Sequence, residues 1–278
     1  MEYADRCPVY RNQYCSANYN YTNTSLTLGK GPAIVSIISS TLSCLGSLLI
    51  VYTYLRWKDI RTGSRSIITF LAIADFFTAF GYVVGSSNYL ANLQSDPGFD
   101  TPTCSPVFTI ICQIQSYLTS WSSISSFVWT TGFALYLFLT LVHSRIYLAL
   151  RLIPWFHIAA WGLPIAIILP LLVTGHLGFS PYAVSTWCFI AKPQNQSLDS
   201  LLKEIGFILV GGKLWELLTY AIIIILYTAI KCHVRREVRC QQILVTLYVR
   251  LTTESYYKFL QLDYPPYGQY LACTEMET

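Results

Sequence analysis

FHIAAWGLPIAIILPLLVTGHL, residues 156–177, holds no acidic or basic side chain beyond two histidines. In water it would make a poor helix. Pro164 and Pro170 interrupt it, Pro154 lies just before it, and each proline ring removes a backbone donor. In hydrocarbon the same prolines are tolerated, because neighbouring helices and waters satisfy the freed carbonyls. A bilayer core about 30 Å thick takes about 20 apolar residues in a helix, and this stretch supplies them. It reads as a membrane span.

Four further stretches have the same character: about Pro32–Leu55, Ser66–Val84, Ile110–Val142 and Gly212–Ile230. The fold class is therefore all-α, a polytopic transmembrane helix bundle of five spans over residues 32–230. An extracellular segment, 1–31, precedes it and a cytoplasmic tail, 231–278, follows. Composition agrees: 54% of the 278 residues are hydrophobic and 12% charged, against roughly 25% charged in an ordinary soluble domain. No Lys/Arg run interleaved with aromatics points to nucleic acid. Met1-Glu2-Tyr3-Ala4-Asp5-Arg6 lacks the apolar core of a cleavable signal peptide, so the first span is expected to start insertion itself. Residues 241–278 mix a β-rich run, Ile243–Val249, with tyrosines around Pro265-Pro266. They keep no clear helical period, so the tail from residue 231 reads as a weakly ordered extension rather than a paired amphipathic helix.

Basic residues in short loops set the orientation. Arg56, Lys58, Arg61 and Arg65 lie between spans 1 and 2, Arg145 and Arg151 between spans 3 and 4, and Lys231, Arg235, Arg236 and Arg239 after span 5. The segment after span 2 holds Asp96 and Asp100 and no base. The N-terminus is thus expected outside and the C-terminus in the cytosol. Glycosylation sequons at Asn20, Asn23 and Asn195 all fall on the outer side, which agrees with that orientation.

Asp75 sits near the midplane of span 2, where a carboxylate costs roughly 2.5–3.5 kcal/mol on insertion scales and must face the bundle or water. It is either a polar anchor between helices or an ion or proton site. Lys213 and Glu216, three apart at the start of span 5, meet on one helix face. They are either a structural ion pair or contacts for a polar ligand. In span 3, Ser116, Ser120, Ser123, Ser126 and Thr130 recur at three- and four-residue spacing and so share a face. Small hydroxyl residues allow close helix approach and interhelical hydrogen bonds, as expected of a central helix. Cys7, Cys15, Cys104, Cys112 and Cys188 lie on the oxidising side, where disulfides form. Cys44 lies in span 1, while Cys232 and Cys240 follow span 5, where reduced thiols or S-palmitoylation are the options. The four histidines form no His-Glu-x-x-His, and the chain has neither a Gly-x-Ser-x-Gly elbow nor a phosphate loop. No enzyme activity, metal or cofactor is expected.

Trp161-Gly162-Leu163-Pro164 resembles the Trp-Gly-x-Pro of the secretin and cyclic-AMP receptor branches of the seven-span receptors. Trp187-Cys188-Phe189-Ile190 resembles the Trp-Cys motif of their second outer loop. Leu71-Ala72-Ile73-Ala74-Asp75, Phe127-Val128-Trp129-Thr130, Ala134-Leu135-Tyr136-Leu137 and Gly212-Lys213-Leu214-Trp215-Glu216 extend the likeness over about residues 32–236. The resemblance implies a seven-span receptor fold, present here as a form truncated after span 5. It implies a Cys112–Cys188 disulfide, which leaves Cys7, Cys15 and Cys104 as an odd set, and makes Asp75 a hub of the bundle. It further implies a ligand pocket among spans 3 and 5 and the second outer loop, with Lys213, Glu216, Trp215 and Ser120 as candidate lining residues. The inner end of span 3, Leu141-Val142-His143-Ser144-Arg145, lacks an Asp-Arg-Tyr triplet, and no Asn-Pro-x-x-Tyr follows.

The expected function is thus that of an orphan-type G-protein-coupled receptor at the plasma membrane, carrying a signal from an unknown extracellular ligand to a heterotrimeric G protein. The alternative is a non-signalling five-span protein that forms homo- or hetero-oligomers with full-length receptors and modulates them, with retention in the endoplasmic reticulum as a second location. Membrane lipid is a partner in both readings.

Overall fold

The computed structural model describes residues 30–96, 99–102, 106–178, 186–190 and 198–259. Four long helices come first: α1 (Lys30–Arg56), α2 (Gly63–Ala91), α3 (Pro106–Leu141) and α4 (Ile146–Val173). A helical fifth span follows, made of α5 (Leu198–Ile208), a widened turn at Leu209–Lys213, and α6 (Leu214–Phe259). Two antiparallel ribbons lie on the loops. β1 (Leu93–Asp96) pairs with β2 (Phe99–Pro102), and β3 (Leu177–Gly178) pairs with β4 (Phe189–Ile190). Among the described residues, five helices are long and apolar enough to cross a membrane, and the all-α bundle read from the sequence stands.

Local chemistry sets the helix ends. Arg61 folds back on α1, donating from Nη2 to the Leu55 carbonyl (2.8 Å) and from Nε to the Tyr54 carbonyl (3.2 Å). A cation there satisfies terminal carbonyls and complements the helix dipole. Thr62 caps α2, its side chain accepting from the Arg65 N–H. α4 runs past Pro154, Pro164 and Pro170 and stops at Val173 rather than near Leu177. Gly175 takes a left-handed φ of 72°, so that the His176 N–H reaches the Leu171 carbonyl and the Gly175 N–H the Leu172 carbonyl. That is a Schellman closure, which glycine permits at no steric cost.

α3 is the central helix, packing against α2, α4, α6 and both strands of the β3–β4 ribbon, whereas α1 packs on α2. On the α2–α3–α4 side the core is built around Trp129, which is fully buried. Its ring stacks on Phe70 (5.3 Å) and meets His157 and Trp161 edge-on. A second core joins Ile124, Ile168, Leu171, Leu177 and Ile190, with Phe207 and Trp215 packed against it. Outward faces of α1 and α6 are apolar and exposed, among them Ile38, Leu42, Leu49, Leu217, Ile224 and Ile225. Hydrocarbon is the solvent for which such faces are suited.

The tail departs from expectation. Instead of a weakly ordered extension from residue 231, α6 continues as one helix to Phe259. No proline or glycine occurs between Lys213 and Pro265, so nothing in the backbone chemistry breaks it. Local helix continuity overrides the weak period of the side chains.

Candidate functional site

The outer half of the bundle is organised by the seam between α2 and α3. Gly81 and Gly85 lie one turn apart on α2, and a Cβ at either would collide with the Thr119 or Gln115 side chain of α3. That close approach brings polar side chains within bonding range. Thr78 donates to Ser122 Oγ (2.8 Å), and one turn farther in, Ser126 donates to Asp75 Oδ1 (2.6 Å). Asp75 is half-buried and ties α2 to α3 through this hydrogen bond.

The row facing α2 is therefore Gln115, Thr119, Ser122 and Ser126, and the face expected from the sequence is divided. Ser116 donates instead to the Phe189 carbonyl in the loop. Ser123 lies beside Tyr82, and Thr130 bonds back to the Ser126 carbonyl of its own helix. Ser120 is buried, its hydroxyl enclosed without a hydrogen-bond partner among the described residues. A one-residue step turns a side chain by about 100° around a helix, so neighbouring polar rows reach different partners.

Over the seam lies the segment Thr186–Ile190. Cys112 and Cys188 are disulfide-bonded, with their Cα atoms 5.5 Å apart. Gln115 is the second clamp: its Oε1 accepts the Cys188 N–H (2.9 Å) and its Nε2 donates to Thr119 Oγ1 (2.8 Å). Ser86 joins three elements, with its Oγ 3.0 Å from Ser36 Oγ of α1 and 3.1 Å from Thr186 Oγ1 of the loop. Trp187 sets its ring edge-to-face with Tyr82 at 4.9 Å. Sequence reasoning missed Gln115, Tyr82 and Ser86. A signal was present for Gln115, which stands three residues after Cys112 and so shares its helix face.

Beside this cap the fifth span carries its charges. Lys213 Nζ lies 2.7 Å from Glu216 Oε2, and Tyr220 donates to Glu216 Oε1 at 3.2 Å. The Lys213 side chain is 61% exposed and that of Glu216 27%, so the pair opens to its surroundings. Trp215 donates from its indole to the Val210 carbonyl (3.0 Å) across the widened turn. Its ring packs against the second core. Gly211 and Gly212 lie against the Phe189 ring. Tyr82 is close enough to Lys213 and Glu216 to feel both charges. The arrangement sets an aromatic pair, a hydroxyl and two opposite charges beside a tethered loop. Asn20, Asn23, Asn195, Cys7, Cys15 and Cys104 lie outside the described residues.

Residues 30–195 match the sequence model of the seven-transmembrane receptors of the secretin family. Human G-protein coupled receptor 157 is 33% identical over 204 residues, which is 73% of this chain and 54% of that protein. G-protein coupled receptor 1 of Arabidopsis thaliana is 26% identical over 197 residues, 70% of this chain and 51% of that protein. Cyclic AMP receptor-like protein C of Dictyostelium discoideum is 33% identical over 138 residues, 48% of this chain and 35% of its own length. The chain spans about half the length of the first of these relatives.

Proposed function

Because the chain belongs to the secretin family of seven-transmembrane receptors, we propose that it takes up an extracellular ligand under the Thr186–Ile190 loop and passes the signal to a heterotrimeric G protein. One observation carries this reading: the Lys213–Glu216 pair stands open beside a loop held over α3 by the Cys112–Cys188 bond and Gln115. A ligand with a charged group competes there for one partner of the pair, while Tyr82 and Trp187 offer aromatic contact. Lys213 closes the widened turn, inside which Gly212 departs from helical geometry. A ligand that draws Lys213 from Glu216 therefore acts on the joint between α5 and α6, and so on α6 where it packs against α3. Asp75 and Ser126 keep the α2–α3 seam fixed while this happens.

In this reading the N-terminus faces outside and the C-terminus the cytosol of a plasma-membrane protein. The basic residues around the α1–α2 and α3–α4 turns and after Ile230 support that placement. Two measurements test the whole. Glycosidase treatment should shift the wild-type chain and leave a chain with Asn20, Asn23 and Asn195 changed to Gln unmoved; no shift in either refutes the orientation. Expression with each heterotrimer class, read by G-protein subunit dissociation, should give basal or ligand-stimulated activity that Glu216→Gln alters. No response in any class refutes coupling by this chain.

A second reading is that the chain modulates full-length receptors by pairing with them. Its support is that α1 packs chiefly on α2 and α6 chiefly on α3, which leaves broad apolar faces on both. Co-purification of a tagged full-length receptor from membranes tests it, and a chain that runs alone in nanodiscs with no receptor recovered refutes it.

A further inference from the structure

α6 is too long for its task as a span. Its 46 residues extend about 69 Å at 1.5 Å per residue, over twice the hydrocarbon thickness of about 30 Å. Lys231, Arg235, Arg236 and Arg239 follow its first apolar run and mark where it leaves the hydrocarbon. A straight helix then carries Tyr248 about 25 Å beyond Lys231. Yet the chain becomes apolar again at that point. Ile243, Leu244, Val245, Tyr248, Val249 and Leu251 are each 45–70% exposed. Arg235, Arg239, Gln242, Thr246 and Arg250 share one row at three- and four-residue steps, with Gln241 and Thr252 the polar residues of 240–252 that lie off it. Thr246 is tied back to the Gln242 carbonyl at 2.8 Å. Between Lys231 and Thr252 the one acidic residue is Glu237.

A helix apolar over most of its circumference does not stand alone in water. We propose that residues 240–252 lie along the inner leaflet of the membrane, and that α6, continuous in the structure, gives up helical hydrogen bonds within the polar segment Lys231–Arg239 when burial of this apolar surface in lipid offsets their loss. The apolar side enters the boundary between headgroups and acyl chains, and Arg235, Arg239 and Arg250 meet anionic headgroups. This rests on the orientation proposed above, which puts the segment on the side where anionic lipid is concentrated. Charge selects this occupant over a second copy of the chain. Arg56, Lys58, Arg61, Arg65, Arg145 and Arg151 make the same face of the bundle basic, so a second copy brings like charge and an anionic leaflet brings the opposite. The apolar surface is also too broad for the two-position seam of a coiled coil.

The test uses the full chain in vesicles of phosphatidylcholine, alone or with about one third phosphatidylserine, the composition range over which surface potential changes. Tyr248→Cys, at a position 70% exposed, is labelled with an environment-sensitive fluorophore in a chain whose Cys232, Cys240 and Cys273 are serine. The same chain with Tyr248 retained gives the blank. The expected result is quenching by lipids brominated on their acyl chains and protection from aqueous iodide. Each basic residue near an anionic surface strengthens association roughly fivefold. Changing Arg235, Arg239 and Arg250 to Gln should therefore lower lipid quenching at least about twofold in phosphatidylserine vesicles. Free iodide quenching without lipid quenching, at either composition, places the segment in water and overturns the proposal. Protection from both quenchers that is lost on diluting the protein in lipid assigns the face to a second copy and also overturns it. Lipid quenching that the three substitutions leave unchanged overturns the anionic-headgroup assignment. Both leaflets have the same composition, so the reading does not depend on how the chain inserts; a wrong orientation shows itself in the glycosidase assay.

Discussion

Replacing Gly85 by alanine should destabilise the bundle, although the same change in a helix ordinarily helps. In water-soluble helices alanine is favoured over glycine by about 1 kcal/mol. At Gly85, however, the new Cβ would lie 2.8 Å from both Cδ and Oε1 of Gln115, and 3.1 Å from the Trp187 Cβ. Something must move, and Gln115 is the side chain whose Oε1 holds the Cys188 N–H. Overpacking of this kind costs about 1–3 kcal/mol, and the lost hydrogen bond about 1 kcal/mol more. Less the propensity gain, the net loss is about 1–3 kcal/mol, or roughly 2–12 °C in melting midpoint for a chain of this size. Gly162 and Gly46 provide the control, since a Cβ at either meets nothing within 4 Å. Midpoints of the detergent-solubilised variants, read by thermal aggregation and size exclusion, should fall for Gly85→Ala and hold or rise slightly for Gly162→Ala and Gly46→Ala. In the double variant Gly85→Ala with Gln115→Ala the glycine substitution should cost less than it does alone, because the two 2.8 Å contacts are gone and only the 3.1 Å approach to the Trp187 Cβ remains. If Gly85→Ala melts with the two controls, the close seam between α2 and α3 is wrong.

Three further outcomes follow from the same geometry. Cys112→Ser or Cys188→Ser opens a loop of 76 residues, worth about 4 kcal/mol by chain entropy, and should sharply reduce surface delivery measured by flow cytometry; unchanged delivery refutes a structural role for the bond. Asp75→Ala leaves the Ser126 hydroxyl without its acceptor and should cost about 1–3 kcal/mol. Asp75→Asn keeps an acceptor and should melt nearer wild type, and equal loss in both would show that the charge itself matters. Lys213→Met breaks an ion pair that is largely exposed, so the melting midpoint should stay within the shift expected for about 1 kcal/mol or less while signalling in the dissociation assay changes. A large drop in stability with it would mark the pair as structural.

Much of this was legible in the residues. Asp75 by its position in an apolar run was expected to face the bundle or a water pocket, and it meets Ser126 of α3. Cys112 and Cys188 could be paired through resemblance to a receptor family, and they are bonded. The serine-rich face of α3 was legible as polar but not as divided. Ser116 and Ser126 serve the loop and Asp75 respectively, and the α2-facing row also enlists Gln115 and Thr119. Gly81 and Gly85 gave no signal until the side chains facing them were known, because a glycine reveals close approach only when something stands where its Cβ would be. The continuous α6 was obscured by its β-branched, weakly periodic composition, which propensity alone judges poorly.

Membrane residence, the number of spans and the basic face are determined by the sequence itself. A helix in hydrocarbon satisfies its own backbone, so length and apolarity are sufficient to define each span separately. Helix rotation is different. Neighbouring rows on α3 are equally polar, and what chooses between them is whether Gly81 and Gly85 let α2 come close and where Cys188 is tethered. Those are relations between residues far apart in the chain. Only the packed bundle decides that Gln115 holds the loop and that Lys213 and Glu216 stand beside it.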